Sequence, residues 1–348
     1  MNTISIWYKK KVDCTENEFE KVSLDLHFNF WKLKEKWSFK ANKVKRKWPF
    51  TTDYAYFLDI GLKIKDFKFI DTVKLYFPFE LKKDAIKDLG NFVVNDTSLV
   101  NAIFNEEYKI ISIPNKKFSD LEHPDNKRNF SIYCIDTNND LVIEKKHNGS
   151  IVTLNVGTIN CGNKECYFRF RISSEFLRQF THLYTPKNSL FQSAFIETEV
   201  IDLRLNEKRN LDQNLLEEME REKMFKINKI HFLLLRNAED NFVFAHHDTN
   251  TCRVLEEKIW DKYIDFKHKE KKIIAYHWKK TDDNHSFNAF VKIEFKRNNI
   301  TTIIMYVLII LILSVTFNLL SSFLFDWIKQ QNHDAIPSNI TYKDSKNG

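Results

Sequence analysis

Glycine is scarce in this sequence, which has only 6 glycines among 348 residues, well below the usual ~7%. Loops that hold nucleotide phosphates need several nearby glycines, because the backbone must approach the phosphate closely. The run Gly157–Lys164 has the glycine spacing of a P-loop, but Asn163 stands where the lysine should follow, and Glu165 replaces the hydroxyl that binds Mg²⁺. We therefore interpret this run as a strand-connecting turn.

Catalytic motifs are also missing. The sequence contains no serine nucleophile elbow, no kinase motif set and no HExxH. Glu197 and Glu199 share one strand face and Asp202 lies on the other, but no base or nucleophile can be assigned to them. The run His246–Asp248 contains adjacent histidines, which in a strand point to opposite faces and are poorly placed to share an ion. We expect no enzyme, no metal site and no cofactor.

The five cysteines are odd in number and dispersed: Cys14, Cys134, Cys161, Cys166 and Cys252. Cys161 and Cys166 could approach each other, but no second pair exists to complete a zinc site. Free thiols in a reducing compartment are the simpler interpretation. The N-terminal residues lack an apolar stretch, so we expect no secretory signal peptide.

Charged residues are absent from one long window. Residues 298–325 include no Asp, Glu, Lys, Arg or His in 28 positions. About 20 apolar residues cross a ~30 Å hydrocarbon layer. Lys296 and Arg297 precede the window and Trp327 follows it, and such residues suit a membrane interface. The sequence predicts a transmembrane helix over residues 300–328 and a short extracytoplasmic tail over 329–348.

The lysine and arginine residues that flank this helix predict its orientation. Upstream lie Lys279, Lys280, Lys292, Lys296 and Arg297, and downstream only Lys329, Lys343 and Lys346. The positive-inside rule then places residues 1–298 in the cytoplasm. We expect a single-pass protein of a bacterial inner membrane with a cytoplasmic N-terminal domain.

The predicted membrane helix carries a polar face. Ser314, Asn318 and Ser321 are spaced i, i+4 and i+7 and share one side, with Ser322 at its border, whereas Thr316 points elsewhere. One interpretation is helix–helix association through these residues. A second is a pore lining, which would require several chains, and a third is incidental polarity. The first two both imply a homo-oligomer.

Short strand-like runs dominate the first 298 residues, without regular βαβ alternation. This pattern predicts an α+β, strand-rich fold. The strongest hairpin signal is Asn148-Gly149. Helical patterns occupy residues 80–92, 98–104, 173–184, 211–225 and 253–264. A polar stretch near residues 115–128 suggests a division into a β-rich sensor or assembly domain, residues 1–120, and an α+β second part, residues 121–298.

Positive charge is concentrated between Lys32 and Lys47, where Trp31, Trp37, Phe39 and Trp48 are interleaved with the lysines. Cations can contact phosphates while aromatic rings stack on bases, so this run could bind a nucleotide or oligonucleotide. It could also contact anionic lipid headgroups, or form a solvated strand face whose aromatic side chains are buried. The candidate ligand-binding residues are Lys40, Lys43, Lys45, Arg46, Lys47 and Trp48.

The layout of a strand-rich cytoplasmic region followed by one membrane helix resembles bacterial anti-phage membrane effectors. The residues that carry the resemblance are Ile303–Ile328, their polar face and the basic run before Trp48. In the Hailong type, a nucleotidyltransferase is paired with a transmembrane channel subunit, and this chain is similar in layout to the second. The resemblance implies a homo-oligomeric channel in the lipid bilayer, controlled by a nucleotide or oligonucleotide from a companion nucleotidyltransferase. The alternative is a membrane-tethered binding or scaffold protein whose helix is only an anchor.

Overall fold

The computed structural model describes residues 3–12, 14–34, 54–184, 196–247, 249, 251–264, 272–281, 286–296 and 300–334. The described residues belong to two units: a strand-rich unit that precedes residue 298, and a long C-terminal helix.

Six α-helices occur among the described residues, and five of them are short. They are α1 (Glu16–Phe19), α2 (Gly90–Val94), α3 (Thr97–Phe104), α4 (Gln213–Arg221), α5 (Glu257–Ile264) and α6 (Ile300–Asp334).

Nineteen β-strands account for most of the regular structure in the described part of the chain. They are β1 (Thr3–Lys10), β2 (Ser23–Lys34), β3 (Tyr54–Lys65), β4 (Ile70–Phe77), β5 (Ile86–Asp88), β6 (Lys109–Ser112), β7 (Phe118–Glu122), β8 (Phe130–Tyr133), β9 (Leu141–Lys146), β10 (Gly149–Asn155), β11 (Glu165–Ser173), β12 (Thr181–Tyr184), β13 (Ile196–Leu205), β14 (Lys223–Met224), β15 (Lys226–Asn237), β16 (Asn241–Ala245), β17 (Thr251–Val254), β18 (Ile273–Lys280) and β19 (Phe287–Lys296).

The strands form two sheets. Sheet 1 has the order β16-β19-β13-β1-β4-β10-β9, with β12 on β13 and β14 on β1. Sheet 2 has the order β17-β18-β15-β2-β3-β11-β8-β7-β6, with β5 on β11. Most pairs are antiparallel, but β1 with β13, β2 with β15 and β8 with β11 are parallel.

The two sheets enclose one apolar core. On β2, alternate residues Leu24, Leu26, Phe28 and Phe30 are at most 1% exposed and belong to the same cluster as Leu203 of β13. Alternate residues of a strand point to one face, so this period-two pattern is what places them between the sheets. Each such side chain contributes about 1.5–3 kcal/mol when buried.

Helices cover the outer face of each sheet. On sheet 1, Leu215 and Met219 of α4 pack with Trp7 of β1, as the apolar spacing of the 211–225 pattern predicts. On sheet 2, the ring of Tyr263 in α5 lies 6.3 Å from that of Trp31, and α2 and α3 contribute to the same apolar cluster.

The prediction of an α+β, strand-rich fold with one C-terminal apolar helix is confirmed. Each sheet takes strands from both sides of residue 120: β4 pairs with β10, and β3 pairs with β11. The position itself falls inside β7, which pairs with β6 and β8.

The pattern at residues 253–264 gives α5 after the end of β17, whereas two other helical patterns give mostly other structure. Residues 80–92 contain a 3₁₀ turn, β5 and the start of α2, because Ile86 pairs with Ile172 of β11 and Asp88 accepts hydrogen bonds from the Gly90 and Asn91 N–H groups. Residues 173–184 form a 3₁₀ segment and β12. Pairing with a neighbouring strand outweighs local helix preference at these positions.

The predicted hairpin at residues 141–156 is present, but its turn is displaced by one residue. His147 and Asn148 are the two central residues, with φ of 53° and 58°, as a type I′ turn requires. Gly149 is instead the first residue of β10, and a Cβ there would lie 2.1 Å from the Phe77 carbonyl oxygen. Close backbone approach, rather than turn geometry, therefore requires this glycine.

Candidate functional site

Helix α6 is the candidate membrane-spanning element. Its segment Ile303–Gln330 has 28 residues and is long and apolar enough to cross a membrane; at 1.5 Å per residue it extends about 42 Å. Its large apolar side chains are exposed, from 40% at Ile309 to 76% at Phe323. An apolar surface of this extent marks a site of membrane or protein contact.

The helix continues beyond the predicted end of the span. The sequence predicts a helix over residues 300–328, whereas α6 ends at Asp334. Trp327 is 59% exposed at this end, and the added residues 329–334 are polar or charged. They extend the helix by about 9 Å past its apolar part. Residues 335–348 of the predicted tail lie outside the described residues.

The structure keeps Ser314, Asn318 and Ser321 on one side of α6. At 100° per residue they lie within about 60° of one another, and Ser322 lies about 40° beyond Asn318. Thr316 lies on the opposite side and donates a hydrogen bond to the Ile312 carbonyl oxygen at 2.8 Å. The hydrogen bonds among the described residues include none to the Asn318 amide. Its polar atoms therefore need water or another chain as a partner.

The polar face is short. From Ser314 to Ser322 it extends about 12 Å along the axis, less than half of a ~30 Å hydrocarbon layer. The same side of the helix carries Val307 before the polar face and Phe325 after it, both more than half exposed. A short polar patch between apolar residues suits contact between a few helices, and it forms only part of a pore lining.

The candidate ligand-binding residues Lys40, Lys43, Lys45, Arg46, Lys47 and Trp48 lie outside the described residues. Only the start of the basic run is described, and there the side chains are internal. Lys32 is 2% exposed and Lys34 is 7% exposed. Trp31 is buried and donates a hydrogen bond from Nε1 to Asp59 at 2.8 Å. These three residues therefore do not form the solvated face or the ligand surface that the basic pattern suggested.

Lys32 belongs to a set of four buried charges between the sheets, here named the inter-sheet charge cluster. Its members are Lys32, Glu199, Arg236 and Asp240. Glu199 Oε2 accepts from Lys32 Nζ at 2.7 Å and from Arg236 Nη1 at 2.6 Å. Arg236 Nε also donates to Asp240 at 2.8 Å. The two cations and two carboxylates balance, as buried charges require.

The pKa values within the cluster follow from burial and the opposing charges. Burial and the nearby Arg236 lower the pKa of Lys32 to about 8, so its ammonium stays mostly protonated at pH 7. Burial raises the pKa of Glu199, but the positive charges of Arg236 and Lys32 lower it by more than burial raises it. The pKa of Glu199 is therefore below its ordinary value. Glu199 is therefore an ionised partner of two cations and has no role as a free base.

Aromatic rings surround the Lys32 ammonium. Its Nζ lies 4.4 Å from the ring centroids of Tyr54 and Phe295, and 5.4 Å from that of Tyr56. The rings of Tyr54 and Phe295 are 5.7 Å apart. Cation–π contacts of this kind partly replace the hydration that a buried ammonium loses. They also link β3 of sheet 2 to β19 of sheet 1.

A second buried network lies on the outer face of sheet 2 beneath α5. Asp59 accepts two hydrogen bonds from Arg171, at 2.6 and 3.0 Å, and one each from Trp31 and Tyr263, both at 2.8 Å. Arg169 Nε donates to the Tyr263 hydroxyl at 2.7 Å. The network attaches α5 to the sheet, and its polar groups are occupied with one another.

Three histidines lie side by side on the same outer face, on β2, β15 and β18. His231 Nδ1 is 3.1 Å from His277 Nε2, and the ring of His27 lies 4.9 Å from that of His231. Burial, followed by the neighbouring imidazole His277, lowers the pKa of His231 to about 4. Burial likewise lowers the pKa of His27 and of His277. All three are neutral near pH 7.

Metal-ligating side chains do not converge in the part of the chain that the structure describes, where no group of three could hold an ion. The rings of His246 and His247 lie 4.5 Å apart just after β16, Asp248 lies outside the described residues, and the His247 carbonyl accepts from Trp278 at 2.9 Å. All five cysteines are free.

A shallow cavity of about 420 Å³ lies beside the β6–β7 hairpin. Its polar rim is engaged locally: Tyr108 donates to Glu106 at 2.9 Å, and His123 Nδ1 lies 2.6 Å from Asp125. No nucleophile with an adjacent base occurs among its lining residues, which are Asn101, Glu107, Tyr108, Lys109, Glu122, His123, Pro124 and Asn126.

The sequence did contain a signal for the inter-sheet charge cluster. Lys32 and Lys34 continue the same alternation as the buried Phe28 and Phe30, so they occupy the core-facing positions of β2. Glu199 has the same parity on β13 as the buried Ile201. The basic run masks this pattern, because further lysines follow Lys34 up to Lys47.

No protein-family model matches this chain, and no curated protein matches it. The fold and α6 therefore define a class at the level of architecture: a strand-rich α+β unit followed by a helix able to span a membrane.

Proposed function

We propose that the protein is a homo-oligomeric effector of a bacterial inner membrane that forms a ligand-controlled pore or ion channel. The observation that carries the proposal is the polar face of α6. Asn318 and its serine neighbours are exposed in the middle of a long apolar helix, and Asn318 has no hydrogen-bond partner among the described residues. A polar amide in hydrocarbon requires water or another polar group. One helix cannot enclose water, so a pore requires several copies.

The control in this proposal comes from the cytoplasmic side. Lysines and arginines before α6 outnumber those after it, which supports a cytoplasmic strand-rich unit. The basic and aromatic residues Lys40–Trp48 have the chemistry to bind a nucleotide or oligonucleotide. A companion nucleotidyltransferase would supply such a signal, and the layout is similar to that of anti-phage membrane effectors. In that setting the output is membrane depolarisation.

Asn318→Leu tests the pore. Full-length protein is reconstituted in vesicles of phosphatidylethanolamine and phosphatidylglycerol, and ion flux is measured by a potential-sensitive dye. We expect flux to fall roughly tenfold or more, because one polar partner of the permeating water and ions is lost from each subunit. The matched control is Thr316→Val, which removes a hydroxyl on the opposite side that is already bonded to Ile312. Equal flux in wild type and Asn318→Leu would contradict a pore lined by this face.

A membrane-tethered scaffold is the second candidate, and the short length of the polar face favours it. Val307 and Phe325 flank the face with apolar side chains, as expected of a helix that only anchors and associates. Replacing residues 303–325 with an unrelated apolar helix distinguishes the two. A scaffold keeps its cellular effect after this exchange, whereas a channel loses it.

A further inference from the structure

The inter-sheet charge cluster contains two neighbouring cations, Lys32 and Arg236, and the carboxylates that neutralise them. Lys32 and Arg236 are register partners on the parallel strands β2 and β15, and both project into the core between the sheets. Two cations side by side on neighbouring strands repel each other. Asp240, in the turn that follows β15, accepts a hydrogen bond from Arg236. Lys32 depends on a carboxylate from the other sheet.

Glu199 of β13 provides that carboxylate. A single oxygen, Oε2, accepts from both cations at 2.6–2.7 Å, so its position relative to sheet 2 is narrowly defined. On the same strand face, Glu197 precedes Glu199, whereas Ile201 and Leu203 follow it and are apolar. If β13 were displaced by two residues so that Ile201 took the position of Glu199, the two cations would be buried without that carboxylate. That state is strongly unfavourable, whereas apolar contacts alone tolerate such sliding more easily because they are non-directional.

The cluster also lies where β13 and β19 face sheet 2. Glu199 pairs in register with Ile293 of β19, and the Phe295 ring lies 4.4 Å from Lys32 Nζ and 5.6 Å from the Arg236 guanidinium. In the chain, β19 ends at Lys296 and α6 begins at Ile300. On the sheet 2 side, Lys32 is two residues from the end of β2, and Tyr54 is the first residue of β3.

We infer that the inter-sheet charge cluster fixes the alignment of β13 and β19 on β2 and β15, and that a displacement of the β2–β3 end is transmitted through it to β19. The transmission rests on the proposed function, because only a channel or effector would use it. The alignment stands independently of that function. Lys32 and Glu199 act here as positioning residues, through the contact between them.

The double variant Lys32→Met with Glu199→Met tests the alignment. It removes one cation and one carboxylate, so the remaining Arg236–Asp240 pair stays balanced, and similar apolar exchanges of buried ion pairs preserve folding. In full-length protein in detergent, we expect hydrogen exchange of the β13 and β19 amides to become roughly tenfold faster. Amides of β4 and β10 should not change. The matched control is Lys74→Met with Glu222→Met, which removes a 2.6 Å ion pair on the outer face of sheet 1, between β4 and the residue that follows α4.

Unchanged exchange in β19, or the same acceleration in the control, would overturn the alignment. Basal ion flux in the vesicles tests transmission, and we expect the Lys32/Glu199 double variant to change it roughly threefold or more. Faster exchange with unchanged flux in a protein that conducts would overturn transmission alone. Faster exchange in a chain whose wild type never conducts would support the alignment and contradict the proposed channel.

Discussion

Polar groups in the strand-rich unit and polar groups on α6 have opposite surroundings. In the unit, the Glu199 carboxylate binds two cations, and Asp59 accepts hydrogen bonds from three side chains. On α6, the Thr316 hydroxyl bonds to a neighbouring carbonyl, whereas Asn318 has no such partner among the described residues. The Glu199 and Asp59 carboxylates therefore have their partners within the unit, whereas the Asn318 amide requires water or another chain.

This difference decides how each region should respond to substitution. Removing a paired buried charge leaves its partner desolvated, so the strand-rich unit should lose stability. Removing the Asn318 amide from α6 leaves no unpaired polar partner in the same chain. Its effect should appear in association or flux, with little change in the folding of the unit.

The largest effect is expected from Asp59→Ala. The substitution leaves the buried Arg171 guanidinium without its carboxylate and removes the acceptor of Trp31 and Tyr263. Loss of one member of a buried ion pair destabilises by about 3–5 kcal/mol. Urea unfolding of the full-length chain, followed by tryptophan fluorescence, measures the change. The control Asp125→Ala removes an exposed pair with Arg128 and should change stability little. Similar losses in the two variants would show that burial does not distinguish these carboxylates.

A moderate effect is expected from pH, through the histidines of sheet 2. The unfolded His231 binds a proton near its ordinary pKa of about 6.5, whereas the folded residue does so only near pH 4. Between these values the unfolded state holds more protons, so stability falls as pH falls through this window. His231→Gln removes one such group. Between pH 6.5 and 4, the free energy of unfolding of this variant should therefore fall by about 1–3 kcal/mol less than that of the wild type. Parallel stability curves for the two proteins would contradict this contribution.

The sequence predicts the fold class well because hydrophobic periodicity is a local property. The period-two pattern of β2, β3, β13, β15 and β19 marks these strands, and the charge-free window marks α6. Hydrophobic periodicity does not predict which strands become neighbours, because parallel pairs such as β2 with β15 join residues about 200 positions apart. The helical pattern at residues 80–92 fails for the same reason, since β11 provides a pairing partner for Ile86 that is distant in sequence.

The candidate site divides in a similar way. The polar face of α6 follows from spacing alone, because Ser314, Asn318 and Ser321 are related by one helix. The inter-sheet charge cluster does not, because Lys32, Glu199 and Arg236 come from three strands and two sheets. The alternation along each strand shows that these residues face the core, but the partner of each charge depends on how the two sheets are aligned.

The smallest effect is expected from Ser321→Ala on α6. A hydrogen bond between membrane helices contributes about 0.6 kcal/mol on average, so self-association should weaken roughly threefold. Energy transfer between labelled full-length chains in mixed micelles measures this association. Thr316→Ala on the opposite side is the control, and it should have no effect because that hydroxyl bonds to Ile312 within its own helix. An equal loss in both variants would mean that the serine face is not the surface where helices meet. The unfolding of the strand-rich unit should be unchanged in both, which separates the response of α6 from the response to Asp59→Ala.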